Sequence, residues 1–170
     1  MYKSLSILLF SALPVLVLAA GNQADGHGHD MAAMPKDMAG MHQEEHDSAA
    51  GKAGDPAKVS RTIAVSMVDT MRFTPDQISV KTGETIRFFV KNAGKVPHEM
   101  VIGTMDELKE HGETMRTMPA MKHAEPNTIT LAAGQRGGIV WQFDKPGEVD
   151  FACLIPGHRE AGMAGKVKVE

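Results

Sequence analysis

Val149-Asp150-Phe151-Ala152-Cys153-Leu154-Ile155-Pro156-Gly157-His158-Arg159-Glu160-Ala161-Gly162-Met163 carries two patterns in one stretch. Val149, Phe151 and Cys153 recur at a period of two, so they share one face of a strand and the thiol points inward at its end. The run that follows is Cys-x4-His-x4-Met, which sets a thiolate, an imidazole and a thioether on one short loop. Thiolate and thioether are soft donors that favour Cu(I), and imidazole serves both oxidation states. Two imidazoles, one thiolate and a weak axial thioether form the donor set of electron-transfer copper centres, so one imidazole is still to be found.

The best candidate for it is His98, in Lys95-Val96-Pro97-His98-Glu99-Met100, just past Asn92-Ala93-Gly94. His98 is in phase with Met100 and Ile102, so it points inward at the start of a strand. A sandwich can then bring it beside the C-terminal loop. Taken singly, Cys153 reads as apolar filler, Met163 as a core methionine and His158 as a loop histidine. Taken together, with Pro156 stiffening the loop and Gly157 and Gly162 directly before His158 and Met163, they read as a metal loop.

Residues 1–20 read as a secretory signal. Lys3 lies in a short n-region, Ile7 to Leu18 is the apolar core, and Ala19-Ala20-Gly21 offers small residues for cleavage. The apolar run is short for a membrane span and contains Pro14, so an anchor is the weaker reading. The mature chain is expected to be soluble, exported and periplasmic, with no stable membrane insertion. Its one cysteine cannot form an internal disulfide, and coordination to a metal would hold the sulfur as a thiolate and shield it.

From Asn22 to Lys58 there is no aromatic or β-branched residue. Residues 21–58 are therefore expected to be a disordered tail, because such a stretch buries too little apolar surface to offset its ordering entropy. His27, His29, Met31, Met34, Met38, Met41, His42 and His46 are interleaved there with carboxylates. One reading is a solvated linker of biased composition. The favoured one is a collector that binds additional copper weakly, since His-rich tracts suit metals and thioethers extend the preference to Cu(I).

Residues 59–170 are expected to form one all-β domain. Ile63, Val65 and Met67 share a face, as do Ile86, Phe88 and Val90, then Ile139, Trp141 and Phe143, and lastly Val167 and Val169. Short strands over 77–81 and 127–132 complete seven or eight, an antiparallel Greek-key β-sandwich. One helical insert interrupts it: Thr104-Met105-Asp106-Glu107 is a capping box, and Leu108, His111, Met115 and Met118 recur at helical spacing until Pro119. Met115 and Met118 are expected to pack. Met121 and His123, beyond Pro119, offer weak support for an accessory copper site. The net charge of −3, with no basic patch, gives no encouragement to nucleic-acid binding.

These residues resemble the cupredoxins, the small blue-copper family that includes plastocyanin, azurin and rusticyanin. The loop from Cys153 to Met163 is similar to rusticyanin's in its Ile-Pro-Gly-His core and Gly-Met ending, and Pro97-His98 is similar to the Pro-His of plastocyanins. The resemblance implies a cupredoxin-like sandwich holding one type 1 copper, with His98, Cys153 and His158 as equatorial ligands and Met163 as the axial one. Glu99 departs from the pattern, standing where plastocyanin and azurin have an asparagine that hydrogen-bonds the cysteine sulfur. The helical insert departs too. With its His/Met-rich tail the chain is similar to periplasmic cupredoxins associated with copper tolerance. Two functions stay open: copper handling, or a soluble one-electron carrier with a redox partner protein. An oxidase is disfavoured, because the folded part holds a single cysteine and no His-x-His pair.

Overall fold

The computed structural model describes residues 48–118 and 125–170. The expected signal over 1–20, the tail as far as 47, and Met121 and His123 lie outside the described residues. Two five-stranded sheets face each other. Their strands are β1 (Lys52–Ala53), β2 (Arg61–Val68), β3 (Arg72–Thr74), β4 (Gln77–Val80), β5 (Glu84–Asn92), β6 (His98–Gly103), β7 (Thr128–Leu131), β8 (Arg136–Phe143), β9 (Gly147–Ala152) and β10 (Ala164–Val169), and the helix α1 (Met105–Thr117) lies between β6 and β7. One sheet runs β1-β8-β5-β2-β3 and the other β4-β10-β9-β6-β7.

The period of two in the sequence becomes the core. Val65, Met67, Ile86, Phe88, Val90, Ile139, Trp141 and Phe143 from the first sheet meet Met100, Ile102, Val149, Phe151, Val167 and Val169 from the second, all buried. Edge-to-face pairs of Phe73 with Phe151 and Phe88 with Phe143 lock the interior, with ring centroids 5.1 and 6.2 Å apart.

Two expectations about the strands are refined. There are ten strands, the two unforeseen ones being the short β1 and β3. The pairing is mostly antiparallel, but β2 pairs with β5 and β4 with β10 in parallel. Both parallel pairs arise because the chain crosses between sheets: after β3 it enters the other sheet as β4 and returns as β5 beside β2, a connection long enough for parallel neighbours.

The expected boundary at residue 58 is also corrected, since residues 48–58 belong to the sandwich. Ala50 is buried, its carbonyl accepts the Trp141 indole N–H at 2.7 Å, and β1 pairs with β8. Backbone hydrogen bonds and one small side chain hold this segment, which a composition lacking aromatic and β-branched residues does not reveal.

The capping box is formed. The Thr104 hydroxyl accepts the Glu107 N–H and the Glu107 carboxylate accepts the Thr104 N–H, at 3.3 and 2.7 Å. The packing face is narrower than expected: Leu108 is the buried residue, Met115 is half-buried and Met118 is exposed. Leu108 joins Val101, Ala152 and Leu154 in a second apolar cluster. All six residues of β6 are buried, with Met100 and Ile102 in the main core and Val101 in the cluster that includes Leu108 of α1.

Candidate metal centre

Cys153 and Met163 stand at the neck of the loop that joins β9 to β10, and His158 stands between them. The Cys153 N–H donates to the Met163 carbonyl at 3.1 Å, and the Met163 N–H to the His158 carbonyl at 3.0 Å. Turns from His158 N–H to Ile155 and from Gly162 N–H to Arg159 fold the rest, and Gly162 adopts a φ of 99° that other residues avoid. Arg72 on β3 fastens this loop from outside, donating to the Ala161 carbonyl at 2.9 Å.

His98 arrives from the other direction, at the first position of β6, and is fully buried. Asn92 at the end of β5 shapes the approach. Its amide donates to the carbonyls of Val96 and Leu131 and its oxygen accepts the Gly94 N–H, at 2.8, 3.0 and 2.9 Å. The His98 Nε2 lies 3.1 Å from Asp69 Oδ1. A carboxylate only accepts, so in the neutral ring Nε2 carries the proton and Nδ1 keeps its lone pair. That Nδ1 is buried with no hydrogen-bond partner among the described residues.

One ligand atom from each of His98, Cys153 and His158 lies within 4.8 Å of the other two. Cys153 Sγ is 3.3 Å from His158 Nδ1, and the two imidazole rings are 5.0 Å apart between centroids. Cys153 and Met163 are fully buried, whereas His158 is half-buried. Burial pushes the metal-free Cys153 thiol up to about 11, against the backbone N–H groups of Glu99 and Ile155 that favour the thiolate. Burial, then the neighbouring His98, lowers the pKa of His158. An unpartnered, inward imidazole nitrogen beside a buried thiol and a second imidazole fits a thiophilic cation of borderline softness, and copper is such an ion.

Every residue singled out for the centre in the sequence is placed in this region. The role of Glu99 differs from what its position suggested. Its backbone N–H donates to Cys153 Sγ at 3.3 Å, while its side chain accepts the Thr130 hydroxyl at 3.0 Å on Oε1 and leaves Oε2 buried without a partner among the described residues. The sulfur thus receives a hydrogen bond without an asparagine. Sequence reading missed Asp69 and Arg72, which come from the β2–β3 hairpin and carry no motif.

The plastocyanin/azurin family of copper binding proteins matches residues 57–170, and the chain belongs to that family. Its cofactor is copper. The chain is 51% identical over 154 residues to the copper-resistant cuproprotein CopI of Rubrivivax gelatinosus, covering 90% of each chain. It is 34% identical over 164 residues to the protein of the same name from Vibrio cholerae, covering 95% of this chain and 97% of that one. Among solved structures it is similar to the dithionite-reduced auracyanin of Roseiflexus castenholzii, with a TM-score of 0.57 and 25% identity over 66% of this chain and 98% of that one.

Proposed function

We propose that this chain is an exported, periplasmic type 1 copper protein that contributes to copper tolerance by binding copper. His98, Cys153 and His158 would be the equatorial ligands and Met163 the axial one. The observation that carries the reading is the convergence of two imidazoles and a thiol within 4.8 Å, with the His98 Nδ1 buried and unpartnered. The relatives at 51% and 34% identity bear copper resistance in their names and span nearly the whole chain, which supports tolerance as the physiological role.

Copper held there would supply a one-electron Cu(I)/Cu(II) couple. The protein's part is to keep the donors in place and to exclude water. Cys153, Met163 and His98 are sealed in the core, and half-buried His158 is the ligand nearest solvent. The segment before residue 48 would add weak, loosely stoichiometric copper binding through its histidines and methionines. The reading is of a binding protein and not an enzyme. No helix among the described residues is long and apolar enough to cross a membrane.

A second reading, a soluble one-electron carrier with a redox partner, draws on the same rigid, buried donors. Deletion of the gene separates the two. Tolerance predicts copper sensitivity with respiration intact at ordinary copper, and loss of rescue by a Cys153→Ser copy. Normal tolerance with blocked electron flow would reject it and leave the carrier.

A further inference from the structure

We propose that Asp69 is a positioning residue of the copper centre, whose carboxylate aims His98 and stabilises the oxidised ion. This rests on His98 being a ligand. The residue sits in the tight turn between β2 and β3, 29 positions before the histidine it meets. Its Oδ1 faces His98 Nε2 at 3.1 Å. The same carboxylate accepts the Lys95 N–H at 2.8 Å on Oδ2 and 3.0 Å on Oδ1, with the Val96 N–H at 3.4 Å. One side chain therefore fixes both the ring and the backbone that leads to it.

The physical consequence has two parts. Holding the proton on Nε2 turns the Nδ1 lone pair toward the thiol and the second imidazole, with the ring unable to flip or change tautomer without losing the bond. A negative charge on the far side of the imidazole also makes it a stronger donor, and a stronger donor favours Cu(II) over Cu(I). His98 is fully buried, and although the Asp69 side chain is 38% exposed, its contact with Nε2 at 3.1 Å is direct.

Gly94 supplies a second handle. A Cβ at Gly94 would overlap Asp69 Oδ1, so the carboxylate can sit where it does only because position 94 has no side chain. Gly94→Ala thus displaces the carboxylate without changing its charge, and Asp69→Asn removes the charge with little change in shape.

The test uses the full chain loaded with copper, comparing unmodified protein, Asp69→Asn and Gly94→Ala by Cu(II) and Cu(I) affinity and by reduction potential. Loss of an outer partner of a metal-bound histidine weakens metal binding about tenfold to a hundredfold. Cu(II) affinity is expected to fall at least about tenfold more than Cu(I) affinity in Asp69→Asn, which raises the potential by about 59 mV for each tenfold difference. Gly94→Ala should move it in the same direction. A role confined to bracing the loop would lower both affinities alike and leave the potential unmoved. An unmoved potential in Asp69→Asn overturns the proposal, and if that variant does not fold, an unmoved potential in Gly94→Ala does so. Failure of the copper-site reading looks different: the unmodified protein would then show no thiolate-to-copper absorption at all.

Discussion

The two arms of the copper centre are held in opposite ways. The C-terminal arm, Cys153 to Met163, is braced mostly from within, by backbone bonds that close its neck and fold its turns. The upstream arm is one histidine on a strand, and everything that fixes it comes from elsewhere: Asp69 from the β2–β3 hairpin, Asn92 from the end of β5, and a cluster that includes α1 over the outer face of β6. A self-braced loop can be read, and altered, almost in isolation. A strand-borne ligand inherits its geometry from the whole sandwich, so damage there should spread to stability.

The sharpest way to test that contrast is Asn92→Ala. The substitution removes three hydrogen bonds made by one fully buried side chain, so the metal-free domain should lose about 3 kcal/mol in a denaturant titration. An equal loss from Ala161→Gly, in the self-braced loop, would erase the distinction.

The next effect is one of pH, in the metal-free protein. The Cys153 thiol is raised from 9.0 to about 11 by burial, so between those values the folded state keeps a proton that the unfolded state gives up. Stability from this group is therefore complete below about pH 9 and falls as pH rises toward 11, by about 2 to 3 kcal/mol for a two-unit shift. Denaturation midpoints of unmodified and Cys153→Ala protein should diverge in slope over that window. Parallel slopes would mean that the thiol is not desolvated as its surroundings indicate.

The smallest effect lies at the first turn of α1. Thr104→Ala removes the hydroxyl half of the capping box and should cost about 1 kcal/mol, with no change in the copper absorption. A shifted absorption would tie α1 to the centre more closely than its packing through Leu108 implies.

The same contrast decides what was legible in the sequence. The alternation of Ile86, Phe88 and Val90, or of Val149, Phe151 and Cys153, fixes which faces turn inward, because a period of two survives any arrangement of strands. The loop from Cys153 to Met163 was legible because its donors and turn residues form one run, and Thr104 and Glu107 announced the helix through local chemistry. Asp69 was not legible, because an aspartate in a turn looks the same whether or not a histidine 29 residues away folds onto it. Nor was the segment from 48 to 58, whose bonds run through the backbone. Met118 was misjudged because helical spacing marks a stripe and not how wide a neighbour covers it.

The central claim is that one copper is held by His98, Cys153, His158 and Met163, and visible absorption during a Cu(II) titration tests it most directly. A thiolate-to-copper charge-transfer band should grow and saturate at one copper per folded domain, and Cys153→Ser should abolish it, because a hydroxyl cannot supply the soft, covalent sulfur bond. A band that survives in Cys153→Ser, or never forms in the unmodified protein, would contradict the claim.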